Sequence, residues 1–227
     1  MKPRHKPRGV TIIYEDDDVI IVDKAPGILS VGTDKKKTGT AYHILTDHIR
    51  KGQSRSRKHL FTVHRLDRDT SGILIFAKSE LAKKRLEEKW SGIKKTYLAV
   101  VHGTPAKKED TISSYLAENS AYLVYSTLDK TKGRLAHTAY KVVREHGGRS
   151  LLEINLLTGR KNQIRVHLAD IGHPIVGDEK YGVRDGPANR MALHAWKITL
   201  QHPISAKTLA LETPVPSCFY SLIGGRF

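Results

Sequence analysis

Residues 64–72 read His-Arg-Leu-Asp-Arg-Asp-Thr-Ser-Gly, with Asp67 between Arg65 and Arg68. A carboxylate beside guanidinium groups is favoured in its ionised form. An ionised carboxylate in a pocket can act as a nucleophile, or it can stabilise a cationic sugar centre. Asp69, Thr70, Ser71 and Gly72 have a different character. Short polar side chains bond local backbone, and glycine lets a chain turn. A solvated loop whose charges cancel would account for the same residues, so the surroundings have to decide.

Those surroundings are apolar and β-prone. Leu60-Phe61-Thr62-Val63 precedes the stretch and Ile73-Leu74-Ile75-Phe76 follows it, which predicts a charged loop held between two buried strands. Loops on rigid scaffolds are where functional side chains concentrate. Further strands are expected at 10–14, 19–23, 96–101 and, more weakly, 111–116 and 121–128. Two hairpins are expected, 135–144 with 150–157 around Gly147-Gly148 and 192–200 with 207–212 around His202-Pro203. Helices are expected over 41–50 with Thr40 as cap, from Ser79 to about Trp90 with Leu81, Leu86 and Trp90 inward, and from Asn162 through Ile171. Strands outnumber helices and short turns join neighbours. The pattern is therefore α+β: a mainly antiparallel β-sheet with flanking helices. No repeat or linker divides the chain, so residues 1–9 are expected to be a basic N-terminal arm and residues 10–227 one domain.

Charge points to the partner. Lys and Arg number 39 against 23 Asp and Glu, a formal net charge of +16 over 227 residues. Such a surplus suits a polyanion, because each neutralised phosphate releases condensed counterions. No run is apolar and long enough to span a membrane, and no basic amphipathic helix stands out. The one cysteine, Cys218, excludes an internal disulfide and fits a reducing cytoplasm. The 12 histidines show no metal-ligand spacing, and neither a phosphate-binding glycine loop nor a Gly-x-Ser-x-Gly elbow is present. No metal and no cofactor are therefore expected.

Residues 64–72 closely resemble the signature of the RluA-type RNA pseudouridine synthases. Lys95-Thr96-Tyr97-Leu98-Ala99 resembles that family's tyrosine-bearing strand, and residues 157–168, Leu-Thr-Gly-Arg-Lys-Asn-Gln-Ile-Arg-Val-His-Leu, its third motif. Gly177-Asp178-Glu179-Lys180-Tyr181-Gly182, Leu193-His194-Ala195, His202-Pro203 and Thr213-Pro214 resemble its later landmarks, in the family's order. The chain departs from the pattern at Asn162, where many members carry histidine, and in having only about ten residues before the first strand. The S4-type RNA-binding module of several relatives is thus expected to be absent.

The resemblance implies that specific uridines in structured RNA, rRNA or tRNA, are isomerised to pseudouridine. Asp67 is then the catalytic carboxylate, Arg165 its counter-ion, and Tyr97 the active-site tyrosine that stacks on uracil or takes its C5 proton. The target base must leave the helical stack. Arg65 resembles the residue that fills the vacated place, and His64, Arg68, Arg160 and Gln163 join it as RNA contacts. A monomer in the cytoplasm is the default. Two other classes compete: a noncatalytic RNA-binding or assembly protein, and a carboxylate-dependent nuclease, which would want a paired carboxylate or a metal cluster.

Overall fold

The structure is a computed structural model that describes residues 9–32, 38–51, 53, 56–183 and 190–226. Residues 1–8 of the basic arm, and residues 52, 54 and 55 of the Ser/Arg/Lys-rich segment, lie outside the described residues. The chain folds into two compact units. One comprises the residues up to Ile93 together with Lys197–Thr213; the other comprises Lys94–Trp196 and the residues from Pro214.

In the first unit, β1 (Val10–Glu15) and β2 (Val19–Lys24) form an antiparallel hairpin. Asp16 closes its acidic turn: one carboxylate oxygen accepts from the Asp18 and Val19 amides at 2.9 and 2.8 Å, the other from the Tyr14 hydroxyl at 2.6 Å. Helix α1 (Ala41–Arg50) starts as expected, with the Thr40 hydroxyl accepting from the His43 amide at 3.2 Å. β3 (Phe61–Thr62) and β4 (Ser71–Ala77) pair antiparallel and enclose the charged loop, and β4 also pairs with β2. Every residue of β4 is buried, which explains its continuous apolar run.

Helix α2 (Glu80–Glu88) is capped by the Ser79 hydroxyl, and a 3-10 turn, Trp90–Gly92, follows it. Its inward face differs from expectation. Leu81 is 53% exposed, and Ala82 and Leu86 face the core. Positions 82 and 86 are one turn apart on a helix and positions 81 and 86 are not, so only one pair can share a face.

The second unit contains β5 (Lys94–His102), β6 (Glu109–Glu118), β7 (Val124–Thr127), β8 (Arg134–His146) and β9 (Arg149–Leu156), paired antiparallel in the order β5-β9-β8-β6-β7. Gly147 and Gly148 both take positive φ, 56° and 70°, the two-residue turn whose twist matches its strands. Helix α3 (Gln163–Asp170) buries six consecutive residues, Gln163 to Leu168. Asn162 occupies its N-cap position in the left-handed region, and its side chain makes no capping bond. β10 (Leu193–Gln201) starts in this unit and ends in the first, where it pairs antiparallel with β11 (Thr208–Glu212) and adds Ile198 and Leu200 to the core. Helix α4 (Ser217–Leu222) closes the chain. The architecture is α+β with an open, largely antiparallel sheet arrangement, as the strand count suggested.

Candidate active site

Asp67 lies in the loop between β3 and β4, half-buried. Both its neighbours are held by backbone contacts. The buried Ser30 hydroxyl donates to the Leu66 carbonyl at 2.8 Å and accepts from the Leu66 amide at 2.9 Å. On the other side, the Arg68 carbonyl accepts from the Lys24 ammonium at 3.0 Å and from the Gly27 amide at 2.9 Å. Lys24 is fully buried at the end of β2, and its ammonium also donates to the carbonyls of Ala25 and Ile28 at 3.0 and 2.8 Å. Burying a charge is costly unless its donors are satisfied, and these carbonyls meet three N–H groups. Asp67 is therefore mounted on a segment fixed one residue before and one residue after it.

The other residues of the loop divide by exposure. Arg65 and Arg68 are exposed, and the Arg68 guanidinium pairs with Asp69 at 3.0 Å. His64 turns inward. Its Nε2 accepts from the Ile75 amide at 3.0 Å, and its ring lies 4.8 Å from that of Trp90. An accepting Nε2 places the proton of the neutral ring on Nδ1. Gly72, the second residue of β4, takes φ 108°, a conformation that favours glycine.

In the second unit, Tyr97 sits on β5 opposite Ile154, with 8% of its surface exposed. Arg165 on α3 makes a two-pronged ion pair with Asp178, at 2.7 and 2.8 Å. The same carboxylate accepts from the Lys180 and Tyr181 amides at 2.9 and 3.1 Å. Burial by itself would raise the Asp178 carboxyl. The Arg165 hydrogen bonds and charge, with the two amides, overcome that and hold it below the ordinary carboxylate value. The guanidinium of Arg165 lies 5.0 Å over the Tyr181 ring. The Tyr181 hydroxyl accepts from the Val124 amide at 3.1 Å and donates to Asn162 at 3.3 Å.

Gln163, expected among the RNA contacts, is buried, and the chain itself uses its whole amide. The oxygen accepts from the Thr158 hydroxyl at 2.8 Å and the Arg160 amide at 3.0 Å; the nitrogen donates to the His137 carbonyl and the Thr138 hydroxyl at 3.0 and 2.9 Å. That pattern fills both lone pairs and both N–H groups and assigns the amide's orientation. Arg160 is exposed, its Nε donating to the Leu135 carbonyl at 3.3 Å. His167 lies beneath this network, between the Thr138 and Ser114 hydroxyls at 2.9 and 3.0 Å, and burial pushes it down to about 4.

Among the described residues, Asp16, Asp18 and His202 approach a metal-ligand grouping. His202 Nδ1 accepts from the Ile204 and Ser205 amides at 3.2 and 3.0 Å, which places the ring proton on Nε2, 2.8 Å from Asp16. A nitrogen that keeps its proton is no metal ligand, so His202 and Asp16 serve as a brace between two turns.

Reading the sequence missed Lys24, Ser30, Asp178 and Tyr181. Asp178 and Tyr181 stand in the Gly-Asp-Glu-Lys-Tyr-Gly landmark, where their types were visible and their partner was not. Lys24 carried a fainter signal: a lysine that ends an otherwise apolar strand.

The RNA pseudouridylate synthase family matches residues 18–170, a span that includes the loop of Asp67, Tyr97 and Arg165. The chain belongs to that family. It is 36% identical to the uncharacterized RNA pseudouridine synthase YhcT of Bacillus subtilis, over 91% of this chain and 68% of that protein. It is 34% identical to ribosomal large subunit pseudouridine synthase D of Nitrosomonas europaea, over 93% of this chain and 64% of that one. Human RNA pseudouridylate synthase domain containing 1 shares the fold, with a TM-score of 0.74 at 24% identity over 96% of this chain and 90% of that one.

Proposed function

We propose that this enzyme converts uridine to pseudouridine in structured RNA with Asp67 as the catalytic carboxylate. The observation that carries the reading is the mounting of Asp67 between the clamped Leu66 peptide and the clamped Arg68 carbonyl. A reacting carboxylate has to be held within a fraction of an ångström of its target, and rigid backbone on both sides supplies that.

The reaction conserves atoms. The bond between uracil N1 and the ribose C1′ breaks, the base turns, and C5 bonds to C1′. The C5 proton leaves for solvent and N1 gains one. Asp67 acts at the sugar or at the base, Tyr97 removes the C5 proton or stacks on the ring, and Arg165 supplies the positive charge that keeps a carboxylate ionised. Arg65, exposed at the loop, has the planar cation needed to fill the gap left by an extruded base. Arg68, Arg160 and the surplus lysines meet phosphates, while His64 and Gln163 shape the protein that presents them. The Nitrosomonas relative is named for the large ribosomal subunit, which makes rRNA the first substrate to try.

Asp69 speaks against a paired-carboxylate nuclease, because the Arg68 guanidinium occupies it. The test is incubation of C5-tritiated uridine RNA with the wild type and with Asp67→Ala. Tritium release by the wild type alone, with intact strands, supports isomerisation. Strand cleavage would make it a nuclease, and binding without either would leave a noncatalytic RNA-binding protein.

A further inference from the structure

We propose that Tyr122, at the tip of the turn between β6 and β7, is a stacking platform for an unpaired base of the RNA substrate. The inference rests on the function proposed above. The turn is closed by the Asn119 amide bonding the Leu123 carbonyl at 3.0 Å and the Tyr122 amide bonding the Asn119 carbonyl at 2.9 Å. The Asn119 side chain adds bonds from the Ala121 and Leu123 amides at 3.0 and 2.9 Å. In this frame Tyr122 takes φ 58°, a left-handed conformation that glycine adopts freely and a bulky residue adopts at a cost. The side chain recovers little by burial, since Tyr122 is 72% exposed. The turn calls for a left-handed residue, and burial gives no reason for it to be a tyrosine. Strain that the fold does not need points to function.

The surroundings of the ring indicate what it meets. Lys161, which also pairs with Glu118, holds its ammonium 5.4 Å over the ring. The Lys180 ammonium donates to the Tyr122 carbonyl at 2.8 Å. An exposed aromatic ring with one cation over it and a second at its own carbonyl fits a partner that carries flat π surfaces and regular negative charge, which is a single-stranded stretch of nucleic acid. The turn is also tied to the Arg165 assembly. Val124, two residues after Tyr122, donates to the hydroxyl of Tyr181, whose ring lies under Arg165. A base on Tyr122 would thus belong to the same RNA that this part of the protein serves.

The test uses the full chain and C5-tritiated rRNA from cells lacking the gene. Tyr122→Gly should raise KM about tenfold, the scale of one lost base stack, with the loss falling on KM rather than kcat. The same variant should melt higher than the wild type, because the strain is gone. Tyr122→Trp should restore KM. A Tyr122→Gly enzyme with wild-type KM overturns the proposal, and so does a Trp variant as weak as the Gly variant. Photocrosslinking of 5-iodouridine-substituted rRNA reads the contact without catalysis: an adduct on the Tyr122 peptide supports it, and RNA-bound protein lacking that adduct refutes it. A wild type that releases no tritium yet crosslinks through Tyr122 would remove the proposed reaction and leave the platform standing.

Discussion

Ser30 and Leu66, 36 residues apart in sequence, share a two-way hydrogen bond: one hydroxyl donates to the Leu66 carbonyl and accepts from its amide. The bond fixes the peptide immediately before Asp67. Ser30→Ala would leave both groups unmatched in a buried setting, at a cost of about 1–3 kcal/mol. The expected result is a lower urea midpoint together with a loss of turnover larger than the loss of RNA affinity. A variant with wild-type kcat would show that Asp67 does not depend on this clamp.

The pair of Arg165 and Asp178 is buried and two-pronged. Removing one partner of such a pair typically costs about 3–5 kcal/mol, because a lone charge remains. Arg165→Ala and Asp178→Asn should both melt lower and turn over more slowly. The folded Asp178 carboxyl lies below its ordinary value of 3.8. Its contribution to stability is therefore complete above the ordinary carboxylate range and is lost as pH falls through the depressed folded value. Urea midpoints recorded between pH 5 and 2 should decline less steeply for Asp178→Asn than for the wild type.

Two buried histidines act over a higher window. Burial lowers His167 to about 4, and burial with the nearby Arg190 charge lowers His194 to about 4, from an ordinary 6.5. Between those values the unfolded chain binds protons that the folded chain refuses, so the histidines' contribution to stability should fall as pH drops from about 6.5 toward 4 and change no further below that. Each histidine contributes a slope of about 1.4 kcal/mol per pH unit. His167→Gln should make that slope shallower by one proton's share; an unchanged slope would show that His167 is not held neutral.

Tyr97 can be assigned by comparing two substitutions. If its hydroxyl takes the C5 proton, Tyr97→Phe should abolish tritium release while RNA binding persists. If only the ring matters, Tyr97→Phe should stay active and Tyr97→Leu should fail. Single-turnover release from labelled rRNA separates the two.

The net charge of +16 predicts RNA affinity that falls steeply with salt. Each phosphate contact contributes a slope of about 0.7 to 0.9 in log affinity against log salt. Charge-removing substitutions at Arg68 or Arg160 should each lower that slope, measured by filter binding, and a salt-independent affinity would contradict an electrostatic footprint.

The strands, the Thr40 and Ser79 caps, the Gly147-Gly148 hairpin and the charged loop before β4 were legible in the sequence. Each depends on residues a few positions apart, and hydrophobic periodicity and turn chemistry are local signals. The family was legible by resemblance, from the motif around Asp67 and those that carry Tyr97 and Arg165. Lys24 against the Arg68 carbonyl, Ser30 around Leu66 and Asp178 on Arg165 were decided by tertiary structure alone, because no local rule names a partner 44, 36 or 13 residues away. Gln163 shows the same limit from the other side. The resemblance names it an RNA contact, and only the fold brings the His137 carbonyl and the Thr138 hydroxyl to its amide. The sequence by itself determined which residue types the chemistry could draw on. Only the closed chain decided which of them are presented and which are spent on holding the others, because buried polar groups must find partners wherever the backbone leaves them.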